Sequence, residues 1–302
     1  MIKGNQSAIN LQNMYPAKWW KNTDNGIRCL LCSRNCIILD GNSGYCGIRR
    51  NINGKLYALS YGRPVALQVD PIEKKPLAEF MPRTWTFSLG TYGCNLGCVF
   101  CQNHHLSRGF YTDSDKTEHY SAETIVQMAK RNNCQSIAFT YNEPLVWAEY
   151  VIDIAKIAKK EGLATVLVSN AYVSREAAEE ILPNIDAANF DMKGFSEDFY
   201  KGMTGAELQP VLNTVEYFYS LNKHLEITNL VIPGKNDTHK MIDDYLSWVA
   251  DKLDKNIPLH FSAYHPDYKF SESSRTSPDV LYNIKTKANA EGFGHIYLGN
   301  VF

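Results

Sequence analysis

The chain has 302 residues, 44% of them hydrophobic, 21% charged and 12% aromatic, with a net charge of −1. That near-neutral balance, with no run of Lys and Arg interleaved with aromatics, offers no surface for nucleic acid. No stretch approaches the roughly 18 apolar residues that cross a bilayer, and Met1-Ile2-Lys3-Gly4-Asn5-Gln6 carries no apolar signal core, so no membrane association and a cytoplasmic location are expected.

The first segment, to about residue 50, is rich in Cys, Gly and Asn and has little periodicity. Thiols in a reducing compartment stay free, so tight groups of them read as metal ligands rather than as a disulfide framework. Seven of the eight cysteines form two such groups. The first is Cys29, Cys32, Cys36 and Cys46, on a loop that Gly41, Gly44 and Gly47 would let fold back on itself. Four thiols here suit a structural zinc ion, which would hold together a segment with little core of its own. An auxiliary [4Fe–4S] cluster is the alternative. Two short strands are expected at residues 56–61 and 65–69, broken by Gly62-Arg63-Pro64, and then a polar turn region from Asp70 to Leu77. Residues 1–83 therefore read as an N-terminal extension, with its metal-binding segment at about 29–46, and residues 84–302 as a second unit.

In that second unit apolar strands alternate with amphipathic helices. Strands are expected at residues 86–89, 136–140, 164–170, 187–192, 224–232, 258–264 and 295–298. The clearest helix spans 145–160, where Ala148, Val151, Ile152, Ala155 and Ala158 recur at helical spacing. Another starts at Ser277-Pro278, an N-cap followed by proline in the first turn. Repeated β-α units require a mainly parallel α/β sheet with right-handed crossovers, here a barrel, complete or partial. Active groups then sit where strands end and loops begin. Cys134, just before a strand, is expected to be a buried bystander.

Directly after the first barrel strand, Cys94, Cys98 and Cys101 follow a C-x3-C-x2-C spacing on the glycine-rich loop Gly90–Asn103. Three thiolates can wrap one corner of a cubane cluster, each on a different iron, and leave one iron open to a reacting ligand. The competing reading is a zinc knuckle with His104 or His105 as fourth ligand, although neither histidine follows the usual paired spacing.

This loop, with Phe100 inside it, resembles that of the radical S-adenosylmethionine (SAM) superfamily. The Asp70–Leu77 run, Cys101-Gln102-Asn103, Tyr141-Asn142-Glu143-Pro144 and His260-Phe261-Ser262 are similar to the AmmeMemoRadiSam-system branch, relatives of the pyruvate formate-lyase activating enzyme. The resemblance implies a partial (β/α)6 TIM-like barrel. It implies a [4Fe–4S] cluster whose open iron is chelated by SAM, and an oxidoreductase that releases a 5′-deoxyadenosyl radical to take hydrogen from a small-molecule or protein substrate. A reductant such as flavodoxin or ferredoxin is the implied partner. A non-catalytic iron–sulfur electron-transfer protein is the alternative. Carried over position by position, the resemblance puts Phe100 near the adenine and gives the methionine ammonium to Glu143 and the backbone of Tyr141 and Asn142, where relatives have a GGE-like turn. It also implies that Ser169, Asn170, Asp191, Lys193 and His260 line the cofactor and substrate walls. Ala263 stands where relatives commonly have Arg, which leaves a substrate-anion contact there without its usual residue.

Overall fold

A computed structural model of the chain describes residues 14–111 and 118–301. The N-terminal part carries six short strands, β1 (Tyr15–Pro16), β2 (Trp20–Thr23), β3 (Gly26–Cys29), β4 (Ile37–Ile38), β5 (Arg49–Ile52) and β6 (Lys55–Ala58). They form two antiparallel three-stranded sheets, ordered β1-β6-β5 and β2-β3-β4. The larger sheet comprises β7 (Ala66–Pro71), β8 (Trp85–Gly90), β9 (Ser136–Phe139), β10 (Ala164–Ser169), β11 (Ala187–Met192), β12 (His224–Val231), β13 (Leu259–Ala263) and β14 (Ile296–Gly299). Strands β8 to β14 lie side by side in chain order and all run parallel, while β7 is antiparallel to β8 at one edge.

The helices are α1 (His104–Ser107), α2 (Ala122–Arg131), α3 (Ala148–Lys160), α4 (Arg175–Ile181), α5 (Glu197–Phe199), α6 (Gln209–Ser220), α7 (His239–Lys252) and α8 (Pro278–Ala290). Helices α2, α3, α4, α6, α7 and α8 each connect one parallel strand to the next, which is the partial TIM-like barrel expected. Each expected barrel strand appears to within one residue at either end. Four of the crossover helices begin at hydroxyl caps: Ser121, Ser174, Thr238 and Ser277 accept from the backbone N–H groups of Thr124, Ala177, Met241 and Asp279. None of the described helices is long and apolar enough to cross a membrane.

Alternation along the strands sends Leu167, Phe190, Ile227 and Phe261 outward into the main core with the helices. It sends Ala138, Val166 and Ala187 inward, against Ile72 and Leu77 from the turn region between β7 and β8. The expected boundary at residue 83 is therefore not a structural one: β7 pairs with β8 over six residues, and the segment after it plugs the barrel. The plug is pinned by Glu226, which is fully buried and accepts from the backbone N–H groups of Ala78 and Glu79, both at 2.9 Å. The same carboxylate meets His224 Nε2 at 2.8 Å and His260 Nε2 at 2.5 Å.

Burial alone would raise the pKa of Glu226, but these four hydrogen bonds overcome it and bring it down from 4.5 to about 2. The unfolded chain binds this proton more readily, so the carboxylate stabilises the fold above pH 4.5 and loses that contribution as pH falls toward 2. Glu226→Gln is expected to lower the unfolding free energy by about 2–3 kcal/mol at neutral pH. The gap from wild type, measured by urea denaturation, should close progressively below pH 4; a gap independent of pH would remove the charge from this explanation.

Candidate active site

The loop between β8 and α1 has almost no secondary structure, so its backbone groups take partners from outside. Gly97 N–H donates to Thr204 O at 2.7 Å, Val99 N–H to Met203 O at 3.0 Å, and Gly93 N–H to Leu106 O at 3.0 Å. From the loop after β13, Lys269 N–H donates to Val99 O at 3.0 Å. Asn142 accepts from Thr91 N–H at 3.1 Å and donates to Tyr92 O and Gly93 O at 3.2 and 2.8 Å. One glycine is required by proximity. At Gly93 (φ +91°) a Cβ would lie 2.5 Å from Cys46 O, whereas at Gly97 the near atom, at 2.2 Å, is the hydroxyl of the exposed Tyr45, which can move aside. Both contacts come from the N-terminal extension.

The three thiols sit among polar donors and cations. Cys94 Sγ accepts from Leu96 N–H at 3.3 Å and from Asn170 Nδ2 at 3.6 Å, while Cys101 Sγ lies 3.3 Å from Ser107 Oγ. Burial pushes the Cys94 thiol well above its ordinary range and Cys98 up to about 12, with Lys193 and Arg108 acting against it at Cys98. Such thiols ionise when a metal replaces the proton. A cubane binds each thiolate at a different iron, and three thiolates on one loop, with the Leu96 and Asn170 amides donating to Cys94, are a donor set that suits a cubane with one iron left to another ligand. His104 is engaged elsewhere, stacked on Tyr268 at 4.6 Å between ring centroids and 3.7 Å from Asp267.

Neighbouring strand ends surround the loop. Tyr141 has φ +73°, in the left-handed region that favours glycine. Its hydroxyl donates to Asp70, which also binds Lys75 Nζ at 2.6 Å, and the Lys75 ammonium lies 4.4 Å from the centre of the Tyr141 ring. Glu143 is 1% exposed. Its Oε1 accepts from Leu145 N–H at 2.9 Å and Ser169 Oγ at 2.7 Å, and its Oε2 from Asn170 N–H at 2.8 Å. Burial raises its pKa to about 7 despite these bonds. Asn170 Nδ2 also donates to Asn95 Oδ1 at 3.0 Å, joining the end of β10 to the cysteine loop. Lys193 Nζ pairs with Asp191 Oδ2 at 3.0 Å. Burial would lower the lysine pKa, but Asp191 and the thiols of Cys98 and Cys101 raise it, so the cation faces the loop.

Cys94, Cys98, Cys101, Tyr141, Asn142, Glu143, Ser169, Asn170, Asp191 and Lys193 are thus gathered at the C-terminal ends of β8 to β11. His260 and Phe100 are placed differently. The His260 ring is committed to Glu226 and stacks on Tyr297 at 5.1 Å, and Phe100, 2% exposed, packs on Phe199 at 6.1 Å. Cys134 is buried, as a bystander would be. Sequence reasoning missed Lys75 with Asp70, Asn95, Arg108 and Arg34. Arg34 donates to Asn95 O inside the cysteine loop from a position 61 residues earlier. No local pattern marks Arg34, whereas the Asp70–Leu77 run already stood out as unusual.

The family model described as "Radical SAM superfamily" matches residues 88–247. An uncharacterized protein of Methanocaldococcus jannaschii is 43% identical over 92% of this chain and 82% of its own length. A 4-hydroxyphenylacetate decarboxylase activating enzyme of Clostridioides difficile is 25% identical over 66% of this chain and 64% of its own length. Among solved structures, a radical SAM methyltransferase from Sphaerobacter thermophilus shares the fold, with a TM-score of 0.53 at 13% identity over 72% of this chain and 67% of its own.

Gly93 and Gly41 offer a matched pair of substitutions. Both have positive φ, but a Cβ at Gly41 meets nothing within 4 Å. Gly41→Ala should cost about 1 kcal/mol, and Gly93→Ala about 1–3 kcal/mol more, with reduced iron uptake. Equal losses in chemical denaturation would mean that the Cys46 carbonyl does not constrain the cysteine loop.

Proposed function

The chain belongs to the radical SAM superfamily and is an enzyme, and on that premise we propose that it cleaves SAM reductively at a [4Fe–4S] cluster held by Cys94, Cys98 and Cys101. The observation carrying this reading is the C-x3-C-x2-C loop of three thiols with Glu143, Asn170 and Lys193 beside it. When bound, cluster and SAM supply a 5′-deoxyadenosyl radical, the hydrogen-abstracting species; the protein positions and shields.

The roles of this chain's residues follow from their chemistry. Glu143 and the backbone carbonyls of Tyr141 and Asn142 would accept from the methionine ammonium. A carboxylate buried to a pKa of about 7 gains most from a cation beside it, because the cation removes the electrostatic cost of ionising. Ser169 and Asn170 fix that carboxylate and would face the rest of the cofactor. Lys193 offsets the anionic charge of ionised thiols and is itself held by Asp191. The substrate would lie inside the barrel, on the inward face shared by Asp191, Thr228 and His260. There Thr228 Oγ1 is buried with no hydrogen-bond partner among the described residues. His260 would then belong to the substrate wall. The organic or protein substrate supplies the abstracted hydrogen, and an external one-electron reductant, a flavodoxin or ferredoxin, restores the cluster. The second group, Cys29, Cys32, Cys36 and Cys46, would be a metal site of its own, for zinc or for a further cluster.

The protein reconstituted with iron and sulfide without oxygen, then given dithionite and SAM, should form 5′-deoxyadenosine. The Cys94/Cys98/Cys101 triple alanine variant should form none; product from that variant would sink the ligand assignment. Glu143→Gln should leave the iron content unchanged and raise the SAM Kd about tenfold or more, the worth of one charge-assisted hydrogen bond. An unchanged Kd in equilibrium dialysis would take Glu143 out of the ammonium site.

A further inference from the structure

The net charge of −1 hides an uneven distribution along the chain. Residues 25–69 carry six Lys or Arg and a single acid, Asp40, and residues 80–110 carry no Asp or Glu. These two stretches include the cysteine loop and the part of the N-terminal extension packed on it. Folding adds cations to the same place. Lys201 sits in the turn after α5, whose Met203 and Thr204 carbonyls accept from the loop, and Lys269 donates its own N–H to Val99 O. Both lysines are exposed. Arg49 is paired with Glu149, but the ion pairs among the described residues include none of Arg34, Arg108, Lys201 and Lys269.

Tyr45 stands in the middle of this charge and is 47% exposed. The guanidinium carbon of Arg34 lies 3.6 Å from the centre of its ring, and that of Arg108 lies 5.5 Å away. The Tyr45 hydroxyl lies against Gly97, between Cys94 and Cys98. Arg34 is fixed there by donating to Asn95 O and, at 2.7 Å, to Gly205 O. Arg34, Tyr45 and Asn95 also line the N-terminal cavity shared by Cys29, Cys32, Cys36 and Cys46. Phe110, 58% exposed, follows Arg108 by two residues.

Cations gathered without counter-charges repel one another, and a partner of opposite sign relieves that cost while being steered to the face. Exposed aromatic and Arg side chains are the types that interfaces favour. Electron transfer adds a demand for close approach, met by small, transient, charge-steered contacts. The thiol loop under Tyr45 is where such an electron has to arrive.

We propose that the face centred on Tyr45, with Arg34, Arg108, Lys201 and Lys269 around it, docks a small acidic one-electron carrier protein of the flavodoxin or ferredoxin kind. This rests on the cluster reading of the thiol loop. The transfer breaks no bond: the carrier is oxidised by one electron, and the cluster on Cys94, Cys98 and Cys101 is reduced by one.

The test titrates oxidised flavodoxin and, separately, oxidised ferredoxin into the reconstituted protein by calorimetry, at about 50 and about 200 mM salt. At least one carrier should bind, and more weakly at the higher salt. Y45E/K201E should raise the Kd of that carrier about tenfold or more, and slow 5′-deoxyadenosine formation driven by its reduced form by a similar factor. Iron content and dithionite-driven formation should match wild type. Carbodiimide cross-linking of wild type should join carrier carboxylates to Lys201 or Lys269. Binding by neither carrier, binding indifferent to salt, an unchanged Kd in Y45E/K201E, or cross-links confined to other lysines would each overturn the docking face. Should the double variant misfold, the wild-type cross-links still decide. No product from wild type with dithionite would instead overturn the SAM chemistry, with affinity and cross-links still judging the face.

Discussion

A backbone that is buried without belonging to a helix or a sheet must find every hydrogen bond elsewhere, and the cysteine loop is such a backbone. Its partners come from Thr204, Met203, Leu106, Lys269 and above all the Asn142 amide, which satisfies three loop groups at once. The loop can therefore hold three thiols in a fixed array only when the strand ends of the barrel are in place. This explains the distribution of asparagines at the site: Asn95, Asn142 and Asn170 each present a donor and an acceptor where neither helix nor strand geometry is available.

Charge is the second organising element. Asp70 with Lys75, Asp191 with Lys193 and Arg49 with Glu149 are ion pairs removed wholly or partly from solvent. Pairs of this kind contribute little net stability, yet losing one partner is costly because the other remains buried. Their positions matter more than their number. Asp70 and Lys75 fix Tyr141, whose backbone turn faces the cysteine loop; Lys193 places a cation by the thiols; Arg49 joins the N-terminal cavity to helix α3. Glu143 is held instead by two backbone amides and the Ser169 hydroxyl.

The N-terminal extension packs against the cysteine loop rather than standing apart from it. The Cys46 carbonyl sets the glycine at 93, and Arg34 caps a loop carbonyl. Strand β7 extends the barrel sheet, and the chain after it closes the barrel from below through Glu226. A change in the extension is thus felt at the thiols through backbone contacts, with no direct contact to a ligand required.

The sequence by itself determined the seven parallel strands, two of the crossover helices and the grouping of the cysteines, because periodicity, caps and spacing are local properties read within a few residues. Glu143 at the end of β9 stood out only through resemblance to a family turn. Only the tertiary structure decided that Tyr141 is held by Asp70 and Lys75, that Arg34 and Asn95 join the two cysteine groups, and that His260 turns to Glu226 and Tyr297. It also decided that β7 belongs to the barrel sheet, across the boundary expected from composition. These are pairings between residues tens of positions apart, fixed by barrel closure and by the demand that buried polar groups find partners. No local pattern encodes them.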